Sequence, residues 1–166
     1  MQQGVDEERI PGAIMYVARD GQPAHFRTYG HMDIEARKAM APDAIFRIAS
    51  MSKALTTTAI MMLYEEGKFM LHDPVAKFSP AFAKSSVAVA PPAGSPPDVK
   101  FVLVPAKRPI QIRDLLTHTA GLTYGTGPAA DLYKAAKLDT WYFANKDATI
   151  GEEIRKLAAL PLNGQP

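Results

Sequence analysis

The stretch that most limits what this chain can fold into is residues 50–66, SMSKALTTTAIMMLYEE. It has the length of a helix, and Met51, Leu55, Met62 and the neighbouring alanines give it apolar surface on more than one side. A helix that is apolar around much of its circumference needs cover from several directions. The fold is therefore expected to bury it deeply. Ser50 suits an N-cap and Gly67 a C-terminal stop, so the helix is predicted from about Ser50 to Glu66.

The remaining segments supply few obvious partners. Ala13–Ala18 and Ala24–Tyr29 read as strands around the turn chemistry of Arg19-Asp20-Gly21-Gln22-Pro23. Residues 31–48 read as irregular, broken at Pro42-Asp43. Lys84–Lys107 is proline-rich and reads as a surface insertion holding one short strand at Phe101–Val104. A short helix is expected over Ile112–Thr117, stopped by Gly121. A last helix is expected over Thr149–Leu160, with Thr149 and Glu152 spaced as a capping box and Pro161 ending it. Two strands alone make a marginal hairpin. The pattern is that of an α/β chain of the α+β type, a helical region plus the first strands of an antiparallel sheet.

Composition excludes several function classes. At 166 residues and 47% hydrophobic, the chain can bury one real core. A net charge of +2 with interspersed signs gives no basic stripe for nucleic acid. No run of about 18 apolar residues spans a membrane. The polar, acidic start MQQGVDEERIPG is no signal peptide, which inclines the expectation to the cytoplasm, although a removed leader would leave no trace. With no cysteine, thiolate catalysis and disulfides are excluded. His25, His31, His72 and His118 show no metal-ligand spacing, so neither metal nor cofactor is expected.

Chemistry enters at Ser50-Met51-Ser52-Lys53. A serine hydroxyl is a poor nucleophile until a base takes its proton. Residues three apart share a helix face, so Lys53 can reach Ser50. A lysine serves as base only when neutral, against an ordinary pKa of about 10.4. Burial and the positive end of a helix both lower that value, and a buried helix start would supply both. Backbone N–H groups there can also bind an oxyanion. The combination points to acyl transfer through an acyl-serine. Six serines and eleven lysines give roughly 0.4 SxxK matches by chance. The tetrapeptide alone thus reads more readily as an ordinary N-cap followed by a solvated lysine.

Three longer segments, taken together, are more specific. RIPGAIMYVARDG, FRIASMSKALTTTAIMMLYEEGKFMLHDPVAKFSP and IRDLLTHTAGLTYG follow one another as in the serine β-lactamase-like superfamily. The chain most resembles the family VIII carboxylesterases, relatives of class C β-lactamases and DD-peptidases. The resemblance implies a β-lactamase/transpeptidase-like fold, Ser50 as the acylated nucleophile and Lys53 as its proton-transfer partner. It also implies Tyr124 as a substrate-pocket residue of lower rank. The expected activity is hydrolysis of short-chain esters. β-lactamase, DD-peptidase or acyltransferase chemistry on the same site, and a non-catalytic binding protein of the same fold, are the alternatives.

The family pattern also includes a tyrosine that completes the proton relay. Tyr142, beside Trp141, is declined for this role and read as packing. The tyrosine normally follows a Pro-Gly-Thr-like turn, which LPLNGQP begins. A second chain or segment is therefore expected to complete the sheet and supply the tyrosine. A Ser-His-Asp reading through His118 with Asp114 or Asp131 lacks the GxSxG context, and His118 is expected in a structural turn.

Overall fold

The computed structural model describes residues 1–139 and 147–166. Tyr142 and Trp141 lie outside the described residues. Two compact units, Met1–Ser52 and Lys53–Pro166, make up the chain, and each is described by itself.

In the first unit a short helix α1 (Gln2–Asp6) precedes strands β1 (Gly12–Arg19), β2 (Gln22–Asp33) and β3 (Lys38–Ala39). They form an antiparallel sheet in the order β1-β2-β3. The expected hairpin is present and longer than foreseen. Asp20 and Gly21, both with positive φ (51° and 75°), make the two-residue turn whose twist suits a hairpin. Pairing runs from Arg19↔Gln22 to Gly12↔Gly30, with a bulge between Val17 and Ala18. At the far end glycine is required. A Cβ on Gly12 would lie 2.5 Å from the His31 carbonyl oxygen, and Gly30 (φ 64°) passes as closely to Pro11. β3 and the continuation of β2 to Asp33 occupy a stretch read as irregular, because its short pairing (His31↔Ala39, Asp33↔Lys38) is set by a turn rather than by alternation.

Strand β1 lies at the sheet edge. Tyr16 and Phe26, directly opposite on β1 and β2, pack edge-to-face with ring centroids 6.0 Å apart, yet both are exposed.

The second unit holds α2 (Ser52–Glu65, whose first residue closes the first unit), a strand pair β4 (Ser86–Val89) and β5 (Val102–Pro105), and helices α3 (Ile112–Leu116), α4 (Ala130–Ala135) and α5 (Ile150–Ala158). Its core gathers Val75, Phe82, Val87, Ile110, Ala120, Ala158 and Leu162. β5 falls on the expected strand. Its antiparallel partner β4 was not foreseen, and it carries the fully buried Val87. Leu162 lies parallel against Val87, with the Leu162 N–H donating to Ser86 at 2.8 Å and the Ala88 N–H to Leu162 at 2.9 Å. The Tyr133 hydroxyl, inside the core, donates to the Pro161 carbonyl at 2.9 Å. Residues 161–163 are thus laced to the core by backbone and side chain.

Helix ends follow local chemistry. Thr149 caps α5, accepting from the Glu152 N–H, while Glu152 Oε2 accepts from the Thr149 N–H at 2.7 Å. Gly67 (φ 69°) closes α2, with its N–H bonded to Tyr64 and that of Lys68 to Leu63. α3 ends one stop earlier than expected, at His118 (φ 58°) rather than Gly121.

The deep burial expected for α2 is not found. The helix has no buried residue, and Met51, Leu55 and Met62 are 72%, 68% and 58% exposed. Its apolar character on several sides made burial the natural expectation, but the described residues do not supply cover on those sides.

Candidate active site

The approach to Ser50 is a 3-10 turn over Ala49–Met51 that runs directly into α2. Ser50 is therefore not the N-cap of a regular helix, as the sequence suggested. The Met51 N–H donates to the Ile48 carbonyl at 2.9 Å, closing a turn with Ser50 inside it. Ala49, the residue before, has φ 42°, a left-handed conformation that costs an L-residue with a Cβ roughly 1–2 kcal/mol. Lys53 follows as the second residue of α2. Chain succession alone brings Ser50 and Lys53 to one helix entry, three residues apart. Both are exposed, so the burial foreseen at this helix start is absent among the described residues. The pair also lies at the helix N-terminus, with the amide dipoles of its first turn.

Tyr124 belongs to the second unit. It is exposed and forms part of the wall of a cavity of about 230 Å³, with Leu115, His118, Leu122 and Leu157 around it. The loop that carries it is held from the C-terminal side. The Asn163 N–H donates to Gly121 at 2.8 Å, and Asn163 Nδ2 donates to the Thr126 carbonyl at 2.8 Å. Gly121 (φ 76°) and Gly127 (φ 83°) leave room for this contact, since a Cβ on either would collide with Gly164 or Asn163. Asn163 fastens this loop, and sequence reasoning did not single it out. Only its place in LPLNGQP was visible, with nothing to indicate its partners.

The two carboxylates weighed for a Ser-His-Asp arrangement have other partners. Asp114 receives two bonds from Arg108, at 2.6 and 2.9 Å, and one from the Gln111 N–H at 2.8 Å. The Arg108 bonds, helped by the Gln111 N–H, hold its carboxyl below the usual range against the opposing effect of burial. Asp131 pairs with Lys100. His118 is the left-handed stop of α3, the structural turn that the sequence suggested.

The chain carries a serine and a lysine three apart at a helix entry and combines helices with antiparallel strands. A profile of the Beta-lactamase family matches residues 1–166, and the chain belongs to that family. Its relatives include esterases. Esterase EstB of Burkholderia gladioli is 32% identical over 169 residues, covering 99% of this chain and 38% of its own length. Protein Rv1367c of Mycobacterium tuberculosis is 38% identical over 168 residues, covering 97% and 38%. The solved structure of EstCE1, a hydrolase with promiscuous acyltransferase activity, superposes with a TM-score of 0.80 at 32% identity, covering 99% of this chain and 39% of that one. The chain thus spans about two fifths of the length of these relatives.

Proposed function

We propose that this chain carries the nucleophilic part of a serine carboxylesterase for short-chain esters. The observation that carries the reading is Ser50 in a tight turn with Lys53 in the first turn of the helix that follows. The hydroxyl proton of Ser50 passes to the Lys53 amine as the serine oxygen attacks the ester carbonyl. Collapse of the tetrahedral adduct expels the alcohol, which takes up a proton, and leaves an acyl-serine. Water then attacks the acyl carbon, releases the carboxylic acid and restores the hydroxyl. Tyr124 serves as a pocket residue for the substrate. The preference for esters draws support from EstB, whose name records esterase activity. The EstCE1 description favours a second outcome for the same intermediate, transfer of the acyl group to an alcohol in place of water.

The same proposal includes a partner. A polypeptide segment equivalent to the part of the relatives beyond the matched two fifths docks on exposed apolar surface. It adds strands at the edge of β1 and covers α2, and it supplies the tyrosine of the proton relay. The edge position of β1 and the exposure of Leu55 and Met62 on α2 support this occupant.

The test uses p-nitrophenyl butyrate and a fluorophosphonate probe on the wild type and Ser50→Ala, with nitrocefin alongside. Ester turnover and a probe adduct on Ser50, both lost in Ser50→Ala, are expected. Equal rates in the two proteins would end the Ser50 assignment, and no reaction in either would favour a non-catalytic binding protein. Faster turnover of nitrocefin would move the reading to lactams. Full activity from an isolated 18.0 kDa monomer would refute the partner.

A further inference from the structure

The sequence holds two asparagines, Asn145 and Asn163, and Asn163 is followed by glycine. An asparagine before glycine is chemically labile, because no Cβ on the next residue shields its backbone nitrogen from the carboxamide carbon. The fold holds this carboxamide closely. Asn163 Nδ2 donates to the Thr126 carbonyl and the Asn163 N–H to the Gly121 carbonyl, both at 2.8 Å. Asn163 Oδ1 is buried and accepts no hydrogen bond among the described residues. Gly127 lies so near that a Cβ on it would stand 2.4 Å from both the nitrogen and the oxygen of the amide. Gly164 is in a different position. Its N–H makes no hydrogen bond among the described residues, and a Cβ added to it would meet nothing within 4 Å.

We propose that Asn163-Gly164 is a self-modification site, closed while residues 161–163 are docked and open when they detach. The Gly164 nitrogen gives up its proton to hydroxide and attacks Cγ of Asn163. A Cγ–N bond forms, the Cγ–Nδ2 bond breaks, and Nδ2 takes up a proton and leaves as ammonia. Water then opens the five-membered imide at either carbonyl, leaving aspartate or isoaspartate. The net change is asparagine plus water to aspartate plus ammonia, with no electrons transferred.

Two features keep the docked state unreactive. Attack on Cγ builds negative charge on Oδ1, which is buried with no donor beside it among the described residues. Attack also requires the carboxamide to swing over the Gly164 nitrogen, which breaks its bond to Thr126. The reaction therefore runs through local opening, at a frequency set by the ties of this segment to Ser86, Ala88, Gly121 and Tyr133. The product does not return to the same seat. A carboxylate has no proton to give the Thr126 carbonyl, so two acceptor oxygens face each other where a hydrogen bond stood. Opening is thus recorded once and irreversibly, and it leaves the 121–127 loop without its fastening. This inference is independent of the role of Ser50.

The test incubates the full chain in mildly alkaline buffer, folded and in urea. The peptide holding residue 163 is followed by mass and by labelling with an isoaspartyl methyltransferase. A gain of about one mass unit separates this site from Asp20-Gly21, whose isomerisation leaves the mass unchanged. The unfolded chain is expected to react on the order of a thousandfold faster than the folded one, and folded Tyr133→Phe about tenfold faster than folded wild type. Gly164→Ala, whose Cβ enters open space, is expected to react about tenfold slower than wild type in urea. Asn163→Asp, which carries the product side chain, is expected to lower the thermal midpoint by roughly 2–12 °C. Equal rates in the folded and unfolded chain, or in Tyr133→Phe and wild type, overturn the protection by docking. An undiminished rate in Gly164→Ala overturns the attack by its nitrogen, and an unchanged midpoint in Asn163→Asp overturns the irreversible release.

Discussion

Replacing Tyr133 by phenylalanine removes one oxygen atom from the core of the second unit and leaves the ring in place. That hydroxyl is bonded to the Pro161 carbonyl at 2.9 Å, and both residues are buried. The loss has two parts. The bond itself contributes about 0.5–1.5 kcal/mol net, and the carbonyl stranded inside adds a desolvation penalty, bringing the total to about 1–3 kcal/mol. For a chain of this size each kcal/mol moves the thermal midpoint by roughly 2–4 °C, so a drop on the order of 2–12 °C is expected. Urea unfolding should show a lower midpoint with an unchanged slope, because the surface exposed on unfolding is the same. Hydrogen exchange should quicken at the amides of Ala88, Leu162 and Asn163, whose bonds tie the same segment to Ala88, Ser86 and Gly121. Tyr16→Phe, at an exposed hydroxyl on β1, is the control and should stay within about 0.5 kcal/mol. A Tyr133→Phe protein indistinguishable from this control would refute the claim that residues 161–163 are laced to the core through that bond.

The Asp114 carboxyl is held below its ordinary range in the folded state, so near pH 4 the unfolded chain binds the more protons and stability rises with pH. Its contribution is present above about pH 3.9 and is lost as pH falls through the lower folded value; Asp114→Asn should flatten that part of an acid-unfolding profile. At neutral pH the same substitution should cost about 1–3 kcal/mol, limited because Arg108 keeps access to water, as urea unfolding will read. Thr149→Ala removes the cap of α5 and should cost about 1 kcal/mol, with helical signal lost first from that end.

Features written in contiguous residues were legible. The Asp20-Gly21 turn, the Thr149/Glu152 cap and the Gly67 stop each depend on residues within a few positions of one another, and each was found where the spacing placed it. Features that depend on distant partners were not. β4 is a short apolar run, SVAV, inside a proline-rich context, and only its pairing with β5 and Leu162 makes it a core strand. The burial of α2 was read from its own composition, whereas burial depends on what lies against it. At the candidate site, Ser50 and Lys53 were visible because their relation is local. The left-handed turn at Ala49 was not, since alanine is among the last residues that sequence rules would assign to such a position. Asn163 was silent for the same reason as β4, as its contacts with Gly121 and Thr126 reach back some forty residues.

The pairing of Leu162 with Val87 bears on how the second unit is made. The two residues are about 75 positions apart, and a closure of that span waits on a long search whose entropy must be spent before the contact gives anything back. On a translating ribosome, Val87 emerges several seconds before its neighbour exists, at synthesis rates of about 5–20 residues per second. During that interval β4 has only β5 beside it. Newly made chains therefore pass through a period in which an aliphatic strand is open to wrong company, and chaperone demand should concentrate there.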